Sequence, residues 1–378
     1  MIGGGWEPTP AQELLLAAAL GPESQVAPAW SAWRGAAEGN DLSTLEGGTA
    51  RLLPLLMPRL SYLPSDDPAL PVIRGYYRRS FYHSQLLRHR AAAAIAALAA
   101  AGIRTLVSKG GLLGTSYYEH PGLRPMNDFD VLVPRPRASD AMRVLAGAGW
   151  QSTMPAPEHL PLAYHAVCFC SPDALDFDLH WHLLPEACFA DADEPAWRAA
   201  EPLEIGGVAT LALAPTDLLV VVCAHAAHWQ PQSPVRWIPD ALKIMRHPST
   251  RIDWDRVVML AERWHVVLHL RDTLGYLGQR WSAPVPAAVL HSLSHARVSG
   301  IDRAAYRLLG SMPNRMTYLR RPWVRYRLRT RDRGALGALP QFVRYLQITL
   351  GRDSVAGLPS EMLRRYRRWR QDRAQALR

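Results

Sequence analysis

The sequence predicts an α+β protein with a small mixed sheet near its middle and helical regions on either side. Three observations carry this. Ile103–Val107 (IRTLV) and Asp128–Val133 (DFDVLV) are apolar and β-branched enough to be buried strands, and Leu175–Leu183 (LDFDLHWHL) alternates polar and apolar residues with the period of a strand. The stretches before residue 100 and after Thr216 instead repeat apolar residues at helical spacing.

Glu13–Leu20 (ELLLAAAL) and Thr49–Leu60 (TARLLPLLMPRL) read as helices joined by Pro/Gly/Ser loops. A long helix is expected from about Gly75 to Ala101, with Gly102 as its C-terminal stop; Arg78, Arg79, Arg88 and Arg90 fit its solvated face. It feeds directly into the Ile103–Val107 strand, so the N-terminal helices should pack on the sheet. Gly110-Gly111 then marks a turn before a helix LLGTSYYE (Leu112–Glu119). Bare N–H groups at such a turn, together with the helix dipole, favour an anion, and glycines let a phosphate approach closely. Lys109 adds positive charge there. The next strand puts Asp128 and Asp130 on one face, about 7 Å apart at ~3.3 Å per residue, where two carboxylates can share a pair of divalent ions. Each half also has a plainer account, as an ordinary turn and as a solvated strand.

Pro134–Arg137 reads as a loop and Ala138–Ala148 as a helix ending at Gly149, followed by strands Tyr164–Cys170 and Leu175–Leu183. In the latter, Asp176, Asp178, His180 and His182 share one face while Phe177, Leu179 and Trp181 share the other. From Thr216-Asp217, a capping pair, the chain turns helical: Leu218–Trp229 carries His225 and His228 one turn apart, and Ala241–Arg246 and a helix opening at Trp254 follow. The two histidines suit a helix–helix contact or a metal. Asp240 suits the edge of a cleft or a plain salt bridge.

Length favours two or three domains, with expected boundaries 1–100 (helical), 101–214 (core), 215–300 (helical, closing a cleft) and 301–378 (Arg-rich, helical). From Ile301 onward the chain holds 19 Arg and no Lys against five acids, a balance of +14 that leaves −4 on the first 300 residues. Arginines interleaved with aromatics from Arg320 to Arg331 and from Arg364 to Arg370 suit an anionic partner such as RNA, an acidic peptide or a membrane surface; the plainer account is a solvated amphipathic helix. Met1–Glu7 has neither a basic start nor an apolar core, no span is long enough to cross a membrane, and the four cysteines lack CxxC spacing. A cytoplasmic protein with reduced thiols is expected.

The order strand, glycine turn, helix, acidic strand resembles the signature of the DNA polymerase β nucleotidyltransferase superfamily. More narrowly, GIRTLVSKGGLL, Tyr117 and LRPMNDFDVLV resemble the bacterial "uncharacterised nucleotidyltransferase" family, a likeness extending over roughly residues 75 to 280 through DLHW, the His225/His228 pair and Arg236–Asp240. Sixteen residues separate Gly111 from Asp128, longer than is usual in the superfamily. The resemblance implies a polymerase β-like core and transfer of a nucleoside monophosphate, AMP most often, from an NTP to an acceptor, in peptide or polysaccharide biosynthesis among other settings. It implies two Mg²⁺ (or Mn²⁺) ions held by Asp128, Asp130 and a third acid on a neighbouring strand, Asp178 first and Asp176 second. His180 would donate to that third acid or meet substrate, Lys109, Gly110, Gly111 and Arg124 would bind nucleotide, and Asp240 would face the cleft. Two other classes fit parts of the sequence: a metal-dependent phosphohydrolase built on His180, His182, His225, His228 and an Asp, and a non-catalytic nucleotide-fold module that binds a partner through its arginines.

Overall fold

A computed structural model describes residues 5–36, 41–42, 44–154, 157–312, 314–331, 335–352 and 354–376. Met1–Gly4, read above for a leader, and Asp332 and Asp353 of the C-terminal charge count lie outside the described residues, as do the side chains of Trp369 and Asp372.

Helix α1 (Pro10–Leu20) starts three residues before Glu13 because Thr9 caps it: the Thr9 hydroxyl accepts from the Gln12 N–H at 3.2 Å and the Gln12 side chain accepts from the Thr9 N–H at 3.0 Å. Helix α2 (Glu23–Gly35), not anticipated, brings buried Trp30 and Trp33 into the core. The helix expected over Thr49–Leu60 divides into a short turn Gly47–Ala50 and a 3-10 segment Leu53–Tyr62, since Pro54 and Pro58 remove donors that an α-helix needs. Helix α3 runs Ala69–Ala100, from before the expected Gly75, and stops short of Gly102, whose φ of +68 takes the left-handed conformation that favours glycine. Its buried stripe (Leu70, Ile73, Leu87, Ala91, Ile95, Leu98) seats it in the same core as the sheet, as expected.

Seven strands form one mixed sheet: β1 (Leu106–Val107), β2 (Asp128–Leu132), β3 (Gln151–Ser152), β4 (Ala166–Cys170), β5 (Asp176–His180), β6 (Glu201–Ile205) and β7 (Val208–Ala212), in the order β3-β4-β5-β2-β1-β7-β6. β2 is central, parallel to β5 and antiparallel to β1; β1 is parallel to β7. Helix α4 (Lys109–Ser116) follows β1, and α5 (Ala138–Gly147) follows β2. A second half of helices, α6 (Pro215–Ala226), α7 (Trp237–Arg246), α8 (Trp254–Arg263), α9 (Val267–Trp281) and α10 (Ala287–His295), completes a single apolar core that reaches from Trp6 to Leu293.

The arginine-rich helices α11 (Gly300–Leu309), α12 (Arg315–Arg329), α13 (Ala335–Leu350) and α14 (Leu358–Ala376) build two smaller clusters of their own, around Tyr326 and Tyr345 and around Leu309 and Leu328. They meet the rest through apolar packing of Ala163 and Tyr164 on Tyr326 and Tyr345, and through hydrogen bonds: the Tyr164 hydroxyl donates to the Thr349 carbonyl at 3.3 Å and Arg331 donates to the Glu186 carbonyl at 3.1 Å. No helix among the described residues is long and apolar enough to cross a membrane.

Candidate active site

Strand register brings the acids together. In the β2–β5 pair Asp128 lies beside Asp176, Asp130 beside Asp178 and Leu132 beside His180. Alternation then puts Asp130 and Asp178 on one face, while Phe129 and Phe177 fill the core on the other. Asp178 therefore stands beside Asp130 and lines the same cavity. Asp176 sits one alternation further along and does not line the cavity that Asp128, Asp130 and Asp178 share.

Asp130 is only 3% exposed, and two cationic or donor groups meet its Oδ1: Lys109 Nζ at 2.6 Å and His180 Nε2 at 3.1 Å. His180 thus serves Asp130, where the sequence reading gave it to the third acid or to substrate. Strand β5 also ends at His180, so His182 leaves the polar face and its Nδ1 lies 2.7 Å from Asp193 Oδ2.

The glycines act differently from the turn expected of them. Helix α4 begins at Lys109, not Leu112, so Gly110 and Gly111 lie in its first turn; the residue in left-handed backbone is Lys109, at φ +37. A Cβ on Gly111 would stand 2.6 Å from Phe129 Cζ, and one on Gly110 3.2 Å from Arg124 Nη1. Close packing is what excludes side chains here. The anion-binding character survives the change, because the first-turn N–H groups lack intrahelical acceptors and Ser108 provides no side-chain cap.

Charge at the site is unbalanced. Burial works to raise the Asp130 carboxyl, but the Lys109 ammonium and the His180 ring hold it well below the usual carboxylate range. Burial and the facing Asp130 and Asp178 push Asp128 up to about 6, and burial and Asp130 likewise raise Asp178. Lys109 is raised, since Asp130 outweighs the opposing effect of burial. Three enclosed acids repelling one another around a single lysine have the chemistry of a site for hard divalent cations.

Arg124 and Asp240 form a buried bidentate pair, Nε to Oδ1 and Nη2 to Oδ2 both at 2.8 Å, and the Tyr118 hydroxyl donates to Oδ1 at 2.8 Å. Nη1 of Arg124 reaches the Gly110 carbonyl at 3.3 Å. Of the two roles expected for Arg124, phosphate ligand or brace, this geometry is that of a brace tying α4 to α7. Asp240 likewise combines its two expected roles, a salt bridge and a place on the cavity wall.

The acids open into a cavity of about 440 Å³, whose wall also carries Lys109, Gly110, Arg51 and Arg236. Arg51 comes from the N-terminal region and Arg236 from the start of α7, where burial and Arg124 bring its guanidinium down to about 10. Arg51 stands in no motif, and Arg236 opens the Arg236–Asp240 run without a role at the site being expected of it, so the sequence reading missed both. A second cavity of about 710 Å³ shares Asp128, His225 and Gln230 with the first and is walled by Arg321, Arg325 and Arg329 of α12 and by Tyr164 and Tyr345. The histidines expected of a hydrolase do not converge: His180 meets Asp130, His182 meets Asp193, His228 Nε2 lies 2.7 Å from Glu186 Oε1, and His225 Nδ1 lies 3.4 Å from Gln230 Nε2.

A family model described as "Uncharacterised nucleotidyltransferase" matches residues 48–282, which include every acid and lysine of the site and end before the C-terminal arginines. No curated protein is matched. A solved structure described as an antigenic nucleotidyltransferase-like protein from Paracoccidioides brasiliensis is 13% identical, with a TM-score of 0.37 over 54% of this chain and 96% of that chain.

Proposed function

This chain belongs to the uncharacterised nucleotidyltransferase family, and from that premise we propose that it moves a nucleoside monophosphate, AMP in the first instance, from an NTP to an anionic acceptor in the cytoplasm. The observation that carries the reading is the Asp130–Asp178 register beside Lys109 and an open cavity. Asp128, Asp130 and Asp178 would hold the divalent ions, and the fit rests on their mutual repulsion: Asp128 and Asp178 are both raised in part by neighbouring carboxylates. When bound, two Mg²⁺ or Mn²⁺ ions supply charge neutralisation at the attacking and leaving oxygens of an in-line displacement.

This chain's own groups do the rest. Lys109, the first-turn N–H groups of α4, Arg51 and Arg236 line the smaller cavity and would take the β- and γ-phosphates. Arg124, held by Asp240 and Tyr118, fixes the Gly110 backbone that those N–H groups belong to. The acceptor oxygen bonds to the α-phosphorus as the bond to the β-phosphate oxygen breaks; pyrophosphate leaves, and the acceptor proton passes to Asp178, which stands beside Asp130 on the wall of the cavity.

The larger cavity would hold the acceptor. Arg325 and Arg329 line it together with the rings of Tyr164, Tyr318 and Tyr345, which suits an acceptor with an acidic group and an apolar body. Helices after Thr216 and the arginine-rich region would thus close the acceptor side of the cleft. Incubation with α-labelled ATP, GTP, CTP or UTP, Mg²⁺ and cell lysate tests the proposal: label should enter a discrete acceptor with the wild type and not with Asp130→Asn. Labelling that persists undiminished in Asp130→Asn rejects it.

A further inference from the structure

A second cluster of metal-binding side chains lies apart from the acid trio. Glu186 sits on the 3-10 turn Pro185–Ala187 after β5, His228 just beyond the end of α6, and His269 within α9. One ligand atom from each lies within 4.8 Å of the other two. Glu186 Oε1 is 2.7 Å from His228 Nε2 and 4.0 Å from His269 Nε2, and the two imidazole rings are edge to face with centroids 5.6 Å apart.

Hydrogen bonding leaves this cluster unfinished. Glu186 is 1% exposed and His269 2%, yet Glu186 Oε2 and His269 Nδ1 have no hydrogen-bond partner. A buried carboxylate oxygen without a donor bears the full cost of its desolvation, so natural proteins rarely leave one without something to meet it. A single cation beside Glu186 would meet it and replace the His228–Glu186 contact with stronger bonds.

We propose that Glu186, His228 and His269 bind one zinc-class divalent cation, at a site separate from Asp128, Asp130 and Asp178. Two imidazoles and one carboxylate form a borderline donor set that suits Zn²⁺ at about 2.0–2.2 Å, whereas the first site, with three carboxylates beside the single imidazole of His180, is richer in oxygen and suits Mg²⁺ or Mn²⁺. The two sites therefore sort different metals by chemistry. His228 is the ligand that also lines the larger cavity, so the remaining coordination position opens toward it, within reach of water or of an acidic group on the bound molecule. The ion would also tie the turn after β5 to α6 and α9, at the point where Arg331 of the C-terminal region grips the Glu186 carbonyl.

The full chain, stripped with chelator, re-loaded with Zn²⁺ in the absence of nucleotide and desalted, tests this by elemental analysis, with Co²⁺ in place of Zn²⁺ for the visible spectrum. The wild type should retain one Zn²⁺ per chain and melt at a higher temperature than the stripped protein. His228→Gln and His269→Gln, checked as folded by circular dichroism, should lose the ion and the Co²⁺ bands, with affinity down by roughly a hundredfold or more. Asp130→Asn and Asp178→Asn should keep both. Absence of retained Zn²⁺ in the wild type, retention by a folded His228→Gln/His269→Gln double variant, or loss in the Asp variants instead, overturns the proposal. Mg²⁺-dependent NTP binding, followed in the same samples, reports separately on the acid trio, so failure of one site is read apart from failure of the other.

Discussion

Replacing Arg124 by Ala separates a brace from a phosphate ligand. The Arg124 and Asp240 side chains are 4% and 6% exposed and share two contacts of 2.8 Å. Truncating Arg124 leaves a buried carboxylate with the Tyr118 hydroxyl as its remaining described donor. Breaking a buried pair from one side costs about 3–5 kcal/mol, and Asp240→Ala should cost a similar amount by stranding the guanidinium. The double variant removes both charges and should lose less than the sum, with a coupling of about 2–3 kcal/mol. Urea unfolding followed by tryptophan fluorescence measures all four proteins, and NTP titration in the same buffer measures their affinity. A brace requires both single variants to lose NTP affinity in step with each other. Coupling below about 0.5 kcal/mol, with NTP affinity lost in Arg124→Ala alone, would refute the reasoning and return Arg124 to the phosphates.

Three further outcomes follow from the geometry. Asp128 carries a folded pKa of about 6, above its unfolded value, so the metal-free protein should lose stability as pH rises through that range, while Mg²⁺ or Mn²⁺ affinity rises over the same interval; Asp128→Asn should flatten both slopes, and a wild-type metal affinity constant from pH 5 to 7 contradicts this. Gly111→Ala forces a Cβ into the Phe129 ring at 2.6 Å and should cost about 1–3 kcal/mol, partly restored by Phe129→Leu; a thermal melt unchanged from wild type rules out the packing role. Arg325→Ala with Arg329→Ala should raise the acceptor KM at least tenfold and leave NTP affinity unchanged, because both arginines line the larger cavity and neither lines the smaller one; an equal loss of NTP affinity places them at the phosphates instead.

The DxD strand was legible because its two acids stand in an apolar run, and the alternation of LDFDLHW placed Asp176 and Asp178 on one face; the preference for Asp178 came from the likeness of DLHW to the family. What alternation does not give is the neighbour. Parallel pairing of β2 with β5 sets Asp178 beside Asp130, and it also hands His180 to Asp130. The Gly-Gly pair misled on mechanism: two adjacent glycines look like a turn, yet Gly111 is small for the sake of Phe129, a contact between residues 18 apart that no local pattern records. The β6–β7 hairpin was not anticipated: Gly206-Gly207, with φ of +57 and +83, makes its tight turn. Charge counting located the arginines without their direction. Arg321, Arg325 and Arg329 recur every four residues on α12, and only the docking of that helix turns their face toward the cavity that Asp128 shares. Arg51 and Arg236 reach the site from positions 185 residues apart in the sequence, which is a property of tertiary packing alone.

Counting Mn²⁺ bound to the complex with a non-hydrolysable NTP analogue, by electron paramagnetic resonance, goes most directly to the acid trio. The wild type should hold a pair of ions, Asp178→Asn should hold fewer with nucleotide still bound, and Asp130→Asn should lose the pair. Equal Mn²⁺ counts in all three proteins would mean that the carboxylates brought together by β2 and β5 are not where the metal sits.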